Sequence, residues 1–299
     1  PSIKGALRFW WRAMHGNLDL KDLKQKEAEI FGGTEKGQGK SKVGIRIVYN
    51  PMSVSKEKFP FEKTISNHKG KSISVNILDY LSFGPCTFRR GEGMVFNRSY
   101  IKEKTQFKFI LRFFPEYEEK ILESLKGLYT FGNLGSKARN GFGSIKIDGL
   151  QKYKIDRNSM STEIPSYFAF SQHIRMFCTK QNHLTWNKAL AEIGVAYKNA
   201  REQLDIPHNY HKRQYVSAPI ITRDGQKSIL DRHGKPYFLH VDYDYQKNQY
   251  TGTILFLKSK YAEGIENDKI NHARDNKRYI DICDELNNYL SQQLVEVSL

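Results

Sequence analysis

Apolar residues recur every three to four positions at the start of the chain. Ile3, Leu7, Trp10 and Met14 fall on one side of a helical wheel turning about 100° per residue. Ser2 ahead of this run and Gly16 behind it supply a cap and a stop, so the spacing predicts a helix over about Ile3–His15. A linker follows, then I-F-G-G at Ile30–Gly33 and a polar, Gly/Lys-rich stretch over 34–42. Val43–Tyr49 alternates with period two, the mark of a half-buried strand. Residues 50–78 are polar and irregular and read as a long mobile insertion. Thr105–Phe114 sets Phe107, Phe109, Leu111 and Phe113 on one side of a second strand. Pro115, the acidic turn Glu116–Glu119 and the apolar series Tyr117, Ile121, Leu122, Leu125 predict a helix ending at Gly127. A glycine-rich loop and a strand at Phe142–Ile147 close this half.

The second half repeats the cycle. Tyr167–Cys178 reads as a strand and Thr185–Leu204 as a helix closed by Pro207. Strands follow near Tyr237–Tyr243 and Tyr250–Lys258. A last helix over about His272–Leu294 carries Tyr279, Ile282, Cys283, Leu286 and Leu290. This order predicts an α+β fold of two tandem ferredoxin-like (RRM-like) domains, with antiparallel sheets and helices on one face. The domains are expected over 1–150 and 151–299, with the boundary near Gln151–Pro165.

Charge adds a partner to this picture. The 299 residues hold 48 Lys and Arg against 32 Asp and Glu, an excess of +16 spread along the chain rather than gathered in a tail. Such a surface repels itself and suits a polyanion. Aromatic residues make up 13% of the chain, and cations for phosphates with rings for bases are what single-stranded nucleic acid requires. Three widely spaced cysteines, Cys86, Cys178 and Cys283, offer neither a disulfide framework nor a cysteine zinc site, which fits a reducing cytoplasm. No stretch approaches the roughly 18–20 apolar residues of a membrane span, and no signal peptide is recognisable.

Two segments carry candidate chemistry. On the first helix Lys4, Arg8, Arg12 and His15 share a face, with Trp11 at its border. Like charges one turn apart each cost about 0.2–0.5 kcal/mol, so a row without an acidic residue predicts an anion lying along it. The second segment is G-N-L-G-S-K-A-R-N-G-F-G at 132–143. Its glycines permit positive φ and close backbone approach, its N–H groups can form an anion nest, and Lys137 and Arg139 add full charges. It has neither the P-loop order nor a strand–G-x-G-x-x-G–helix setting.

The opening P-S-I-K-G-A-L-R-F-W-W-R, the F-G-G at Phe31–Gly33 and this glycine loop together resemble the RAMP superfamily of CRISPR proteins. Within it they resemble the subunit-one family of type III-B (Cmr) effector complexes. R-H-G-K-P at Arg232–Pro236 is similar to an R-x-x-x-P element of the second domain in that family. The resemblance implies a non-catalytic subunit that contacts guide RNA and target RNA near the guide's 3′ end. It would sit beside a neighbouring RAMP subunit and other Cmr subunits, with target cleavage performed elsewhere in the complex. Carried onto this chain, the matching positions are Lys4, Arg8 and Arg12, and Gly132, Gly135, Ser136, Lys137 and Arg139; Trp11, beside the basic row, is expected to stack on a base. Gly33, Arg89, Arg90, His211, Arg213, Arg232 and Lys235 extend the same reading. The family also carries a strand and a glycine segment before the opening helix. Without them the first sheet is expected to leave an unpaired edge.

The rival function is a metal-independent endoribonuclease that processes CRISPR transcripts. It needs a general base, a general acid and cations around the phosphate. His208 and His211, beside Lys212 and Arg213, are the best-placed pair, with His15 and His233 as further histidines. Read as a basic loop they carry no catalysis. Asp242 and Asp244 lack a third ligand nearby in sequence, and H-x-x-H is not the zinc-protease H-E-x-x-H. No catalytic set, metal or cofactor is therefore expected, and recognition of phosphates would be blind to sequence.

Overall fold

Two apolar runs, Y-F-L-H-V from Tyr237 and T-I-L-F-L from Thr253, lack the polar alternation of a strand with one wet face. The structure, a computed structural model, explains why. It describes residues 2–51, 53–68, 71–205, 210–221, 225 and 227–299. The first half contains α1 (Ile3–Met14), α2 (Leu20–Phe31), β1 (Gly44–Val48), β2 (Val54–Ser55), β3 (Lys63–His68), β4 (Lys71–Asn76) and α3 (Ile77–Ser82). It continues with β5 (Cys86–Arg89), β6 (Gly93–Phe96), β7 (Tyr100–Ile101), β8 (Lys108–Arg112) and α4 (Glu118–Phe131). The second half contains β9 (Arg175–Cys178), α5 (Trp186–Gln203), α6 (Arg213–Val216), β10 (Tyr237–Asp244), β11 (Gln249–Phe256), α7 (His272–Gln293) and β12 (Val295–Glu296).

The strands of the second half form one antiparallel sheet in the order β10-β11-β9-β12, with Tyr237 opposite Phe256 and Tyr243 opposite Tyr250. Tyr237, Leu239, Val241, Ile254, Phe256 and Phe177 point to one side, into a core shared with α5 and α7. Phe238, Leu255, Leu257 and Met176 point to the other, into a core built with Leu7 and Trp10 of α1 and with Ile121, Leu125 and Leu128 of α4. The expectation of helices on one face is therefore corrected: this sheet is covered on both. Its strands are apolar at consecutive positions because neither face meets water. A sheet face of the kind that RRM proteins offer to bases is not available on it.

Several local expectations also change. The supposed linker after α1 is the helix α2, capped by Asp19, whose side chain accepts from the Asp22 N–H at 2.8 Å, and ended by Gly32 at φ 76°. Gly127 does not stop a helix, since α4 runs on to Phe131. Gly127 sits where α1 crosses, and a Cβ there would come 2.3 Å from Cε of Met14. Residues 142–147 form no strand; Asn133–Ser144 and Asn140–Leu239 are isolated bridges, and Ile145 and Ile147 pack into the core instead. Only Arg175–Cys178 of the strand expected over 167–178 pairs. The segment 50–78 is not a loop: β3 and β4 make a hairpin, and α3 packs Ile77 and Leu81 against Gly194 of α5. In the first half β1 pairs with β8 in a two-stranded sheet, and Ile47, Val48 and Tyr49 stay exposed.

Candidate nucleic-acid interface

The basic row of α1 finds an anion inside the chain. Ser2 caps the helix, accepting from the Gly5 N–H at 3.1 Å, and Leu7, Trp10, Trp11 and Ala13 are buried. Arg8 and Arg12 both reach the carboxylate of Glu27 on α2, with Arg12 Nη2 at 2.7 Å from Oε1. Glu27 is 1% exposed, whereas the side chains of Arg8 and Arg12 remain 39% and 43% exposed. Lys4 Nζ donates to Ser41 Oγ at 3.1 Å. The triad of Arg8, Arg12 and Glu27 carries a net charge of about +1, less than the row alone suggests.

Trp11 is corrected from a base-stacking residue to a core residue. It is 1% exposed, because α2 covers the border between the apolar stripe and the basic row. Its ring stacks on His15 at 4.2 Å, and His15 Nδ1 lies 2.7 Å from the Trp11 carbonyl oxygen. Gly33 is also taken up internally: its N–H donates to the Gly39 carbonyl at 3.3 Å, and a Cβ there would overlap Gln38.

The glycine loop is pinned along the open edge of β10. The Leu239 N–H donates to the Arg139 carbonyl at 3.3 Å, and Asn133 Nδ2 donates to the Leu239 carbonyl at 2.7 Å. The Val241 N–H donates to Ser144 Oγ at 3.1 Å, while that hydroxyl donates to Asn133 Oδ1 at 2.6 Å. His240 Nδ1 donates to the Gly132 carbonyl at 2.9 Å, and burial pushes the His240 pKa down to about 4. Gly132 is buried under Trp10, whose Nε1 would lie 2.2 Å from a Cβ, so Gly132 packs rather than binds. The exposed part of the loop is the tip, Gly135 at φ 105° with open space beside it, followed by exposed Ser136 and half-buried Lys137.

Arg139 turns inward, against expectation. Its guanidinium carbon lies 5.5, 5.2 and 4.7 Å from the ring centres of Phe9, Phe168 and Phe238, and Nη1 donates to the Lys235 carbonyl at 2.8 Å. Burial pushes its pKa down to about 10. Three rings hold this cation where an open loop would have left it in water. Lys235 is drawn in beside it, Nζ 4.6 Å from the centre of the Tyr197 ring. Arg201 of α5 lies 5.8 Å from the same ring and donates to Tyr80 Oη at 3.4 Å. Arg213 Nε donates to the Arg201 carbonyl at 2.9 Å and lies 3.8 Å from Asp205. Burial, with the charges of Arg201, Arg139 and Lys137, holds the Lys235 ammonium well below its usual range. Among the described residues no ion pair joins Lys137, Arg139, Arg201 or Lys235 to a carboxylate.

Lys137, Arg139, Arg213 and Lys235 of the sequence candidates thus gather in one region. Arg201 and Tyr80, which sequence reasoning passed over as ordinary helix residues, join them. The α1 row borders this region through Phe9, but its charges turn to Glu27 and Ser41, so the two segments do not share a partner. Arg89 and Arg90 are exposed on the β5–β6 hairpin, where Arg89 faces Glu92 at 3.8 Å, and Arg232 is exposed. His211 is half-buried, and His208 lies outside the described residues. Burial pushes the pKa of His233 down to about 4. Asp242 pairs with Lys152, and Asp244 accepts from the Gln246 N–H at 2.9 Å. Among the described residues no group of three or more His, Cys, Asp or Glu is placed to hold a metal ion. Nor is any helix there long and apolar enough to cross a membrane.

Comparison with known proteins defines the class first. The RAMP superfamily model matches residues 1–146, the part that carries the basic helix and the glycine loop, so that part of the chain is similar to that superfamily. Within it the similar proteins are Cmr subunit one. The CRISPR system Cmr subunit Cmr1-1 of Pyrococcus furiosus is 27% identical over 184 residues, covering 58% of this chain and 48% of that protein. The chain thus spans about half the length of that curated relative. The apo crystal structure of Cmr1 from Pyrococcus furiosus matches with a TM-score of 0.54 and 19% identity, over 99% of this chain and 89% of that one. It shares the mixed α/β fold with antiparallel sheets.

Proposed function

We propose that this chain is a non-catalytic RNA-binding subunit of a type III-B (Cmr) CRISPR ribonucleoprotein. It grips the backbone of guide or target RNA near the guide's 3′ end and supports cleavage by other subunits, in the cytoplasm. One observation carries the reading: the tip Gly135–Ser136 is exposed, with half-buried Lys137 beside it, on a platform fixed to β10, in a chain of net charge +16. Rigid support for an open cationic tip suits phosphate, whose recognition is sequence-blind. Arg8 and Arg12, whose side chains stay partly exposed, offer a second, weaker contact.

The order β9–α5–β10–β11–α7–β12, with β12 pairing beside β9, supports a ferredoxin-like reading of residues 151–299. In residues 1–150, α1 and α4 over the β1–β8 pair stand for the other unit. Neighbouring Cmr subunits, a RAMP subunit among them, are the protein partners this reading requires.

Ultraviolet crosslinking of the assembled complex tests it. Crosslinks from RNA to peptides 1–15 and 132–139 are expected. Their absence from this chain removes the RNA-binding role. Discrete cuts in repeat-containing RNA by the isolated chain in EDTA, abolished by His211→Ala, would establish the processing-nuclease alternative instead.

A further inference from the structure

The fold buries a lysine head with nothing on the protein to accept its hydrogen bonds. Lys235 Nζ has no hydrogen-bond partner, and neither do Arg201 Nε and the hydroxyl of Tyr197, the residue whose ring both cations flank. An ammonium brings three donors and a guanidinium five, and buried donors in native proteins are almost always satisfied. Simple packing does not account for the arrangement. A residue needed only to cover Tyr197 would be apolar, and a structural buried lysine would be matched with a carboxylate, as Lys198 is with Glu202 at 2.8 Å. Here Arg201, Arg139 and Lys137 all add positive charge around the same ammonium, and among the described residues none of the four forms an ion pair with a carboxylate; Glu202, whose charge acts on Arg201, is paired to Lys198.

We propose that Lys235, Arg201 and Lys137 form a phosphate pocket that takes one phosphate group of the bound RNA. This rests on the RNA-binding reading above, which does not depend on it. A phosphate supplies the missing element in one piece: negative charge together with several acceptor oxygens that answer donors arriving from different directions. Arg201 and Lys235 come from α5 and from the segment before β10, and Lys137 comes from the glycine-loop tip, so three separate parts of the chain converge. The approach lies along the C-terminal end of α3. Lys137 Nζ is 3.4 Å from where a Cβ on exposed Gly84 would stand, and Tyr80, which accepts from Arg201, is itself exposed, as is Phe83. Those rings are placed to stack on the bases flanking a held phosphate. Arg139 does not contact the anion; its rings and its bond to the Lys235 carbonyl fix the backbone from which Lys235 reaches inward.

The test compares wild type with Lys235→Met, which keeps the alkyl stem against Tyr197 and removes the charge. Thermal unfolding is followed in sodium phosphate and in sodium chloride at equal ionic strength. Binding of single-stranded RNA, with and without a terminal phosphate, is followed over a salt series. Phosphate is expected to raise the wild-type Tm beyond chloride and to leave the variant unmoved. The log–log salt slope for RNA is expected to fall by about 0.7, one phosphate contact, with a severalfold loss of affinity. A loss equal for both RNAs assigns the pocket to an internal phosphodiester; a loss confined to the phosphorylated RNA assigns it to a chain end. A variant that binds both RNAs with the wild-type slope overturns the pocket while leaving the RNA-binding reading intact. Stabilisation by phosphate in a wild-type protein that binds no RNA overturns its assignment to RNA.

Discussion

Glu27→Gln separates the two duties that the α1 arginines can perform. The carboxylate is buried and receives both Arg8 and Arg12, so the substitution keeps its shape and removes its charge. A hydrogen bond to a charged group contributes about 1.5–3 kcal/mol, and breaking a fully buried pair costs about 3–5 kcal/mol. The arginine side chains are about two-fifths exposed, which screens part of this, so a loss of about 2–3 kcal/mol is expected. For a chain of this size that lowers Tm by roughly 3–5 °C. RNA binding should move the other way. The triad goes from a net charge of about +1 to about +2, and if the row lies against phosphates the log–log salt slope steepens by about 0.7. Thermal unfolding by circular dichroism and fluorescence anisotropy with single-stranded RNA read the two effects separately. A lower Tm with an unchanged slope would make the row a structural tie between α1 and α2 and nothing more. An unchanged Tm would refute the stabilising role assigned to the buried carboxylate.

The other expectations concern the platform and the core. Gly143→Ala places a Cβ 1.8 Å from the Leu134 carbonyl oxygen at φ 82°, and a cost of more than about 3 kcal/mol in urea unfolding is expected. Gly135→Ala, with open space around it, should cost only about 1–2 kcal/mol; equal costs would contradict the pinned-loop geometry. His240 and His233 stay neutral in the fold to a pH of about 4 but take up protons near 6.5 when unfolded. Their contribution is therefore complete above about pH 6.5 and is lost as pH falls through 4, up to about 3 kcal/mol for His240. Urea midpoints at pH 7 and 4.5 for wild type and His240→Gln should show a smaller acid loss in the variant. Trp11→Ala should cost about 3–5 kcal/mol as a core truncation. Trp11→Phe should leave RNA affinity unchanged, and an affinity loss in a folded Trp11→Phe protein would return the ring to the interface.

Where the sequence carried a clear apolar pattern, it announced the elements: α1, α5 and α7 lie where helices were expected, and β10 and β11 coincide with the strands expected near Tyr237–Tyr243 and Tyr250–Lys258. It also hinted at what periodicity left out. Asp19 and Gly32 bracket α2, but Leu23, Ile30 and Phe31 are too sparse among lysines and glutamates to stand out from a linker. That omission hid Glu27, the anion that the basic row demanded. Gly127 looked like a stop because glycine most often marks helix ends; only the crossing of α1 shows it to be a packing position. The glycine loop was legible as a loop but not as a sheet-edge clamp, since its partners on β10 lie about a hundred residues away. Lys137 and Arg139 look interchangeable in sequence. Phe9, Phe168 and Phe238 draw one of them inward, and no local pattern links those three rings. Nor does any local pattern join Lys235 to Arg201 and Tyr80, which come from other parts of the chain.

The most direct test of RNA-backbone binding is the equilibrium affinity of the isolated chain for two single-stranded RNAs of equal length and unrelated sequence, measured from low to physiological salt. About two neutralised phosphates, one in the pocket of Lys137, Arg201 and Lys235 and one at the α1 triad, give parallel lines of slope near −1.4. Lines that separate by sequence, or no binding even at the lowest salt, would contradict the account.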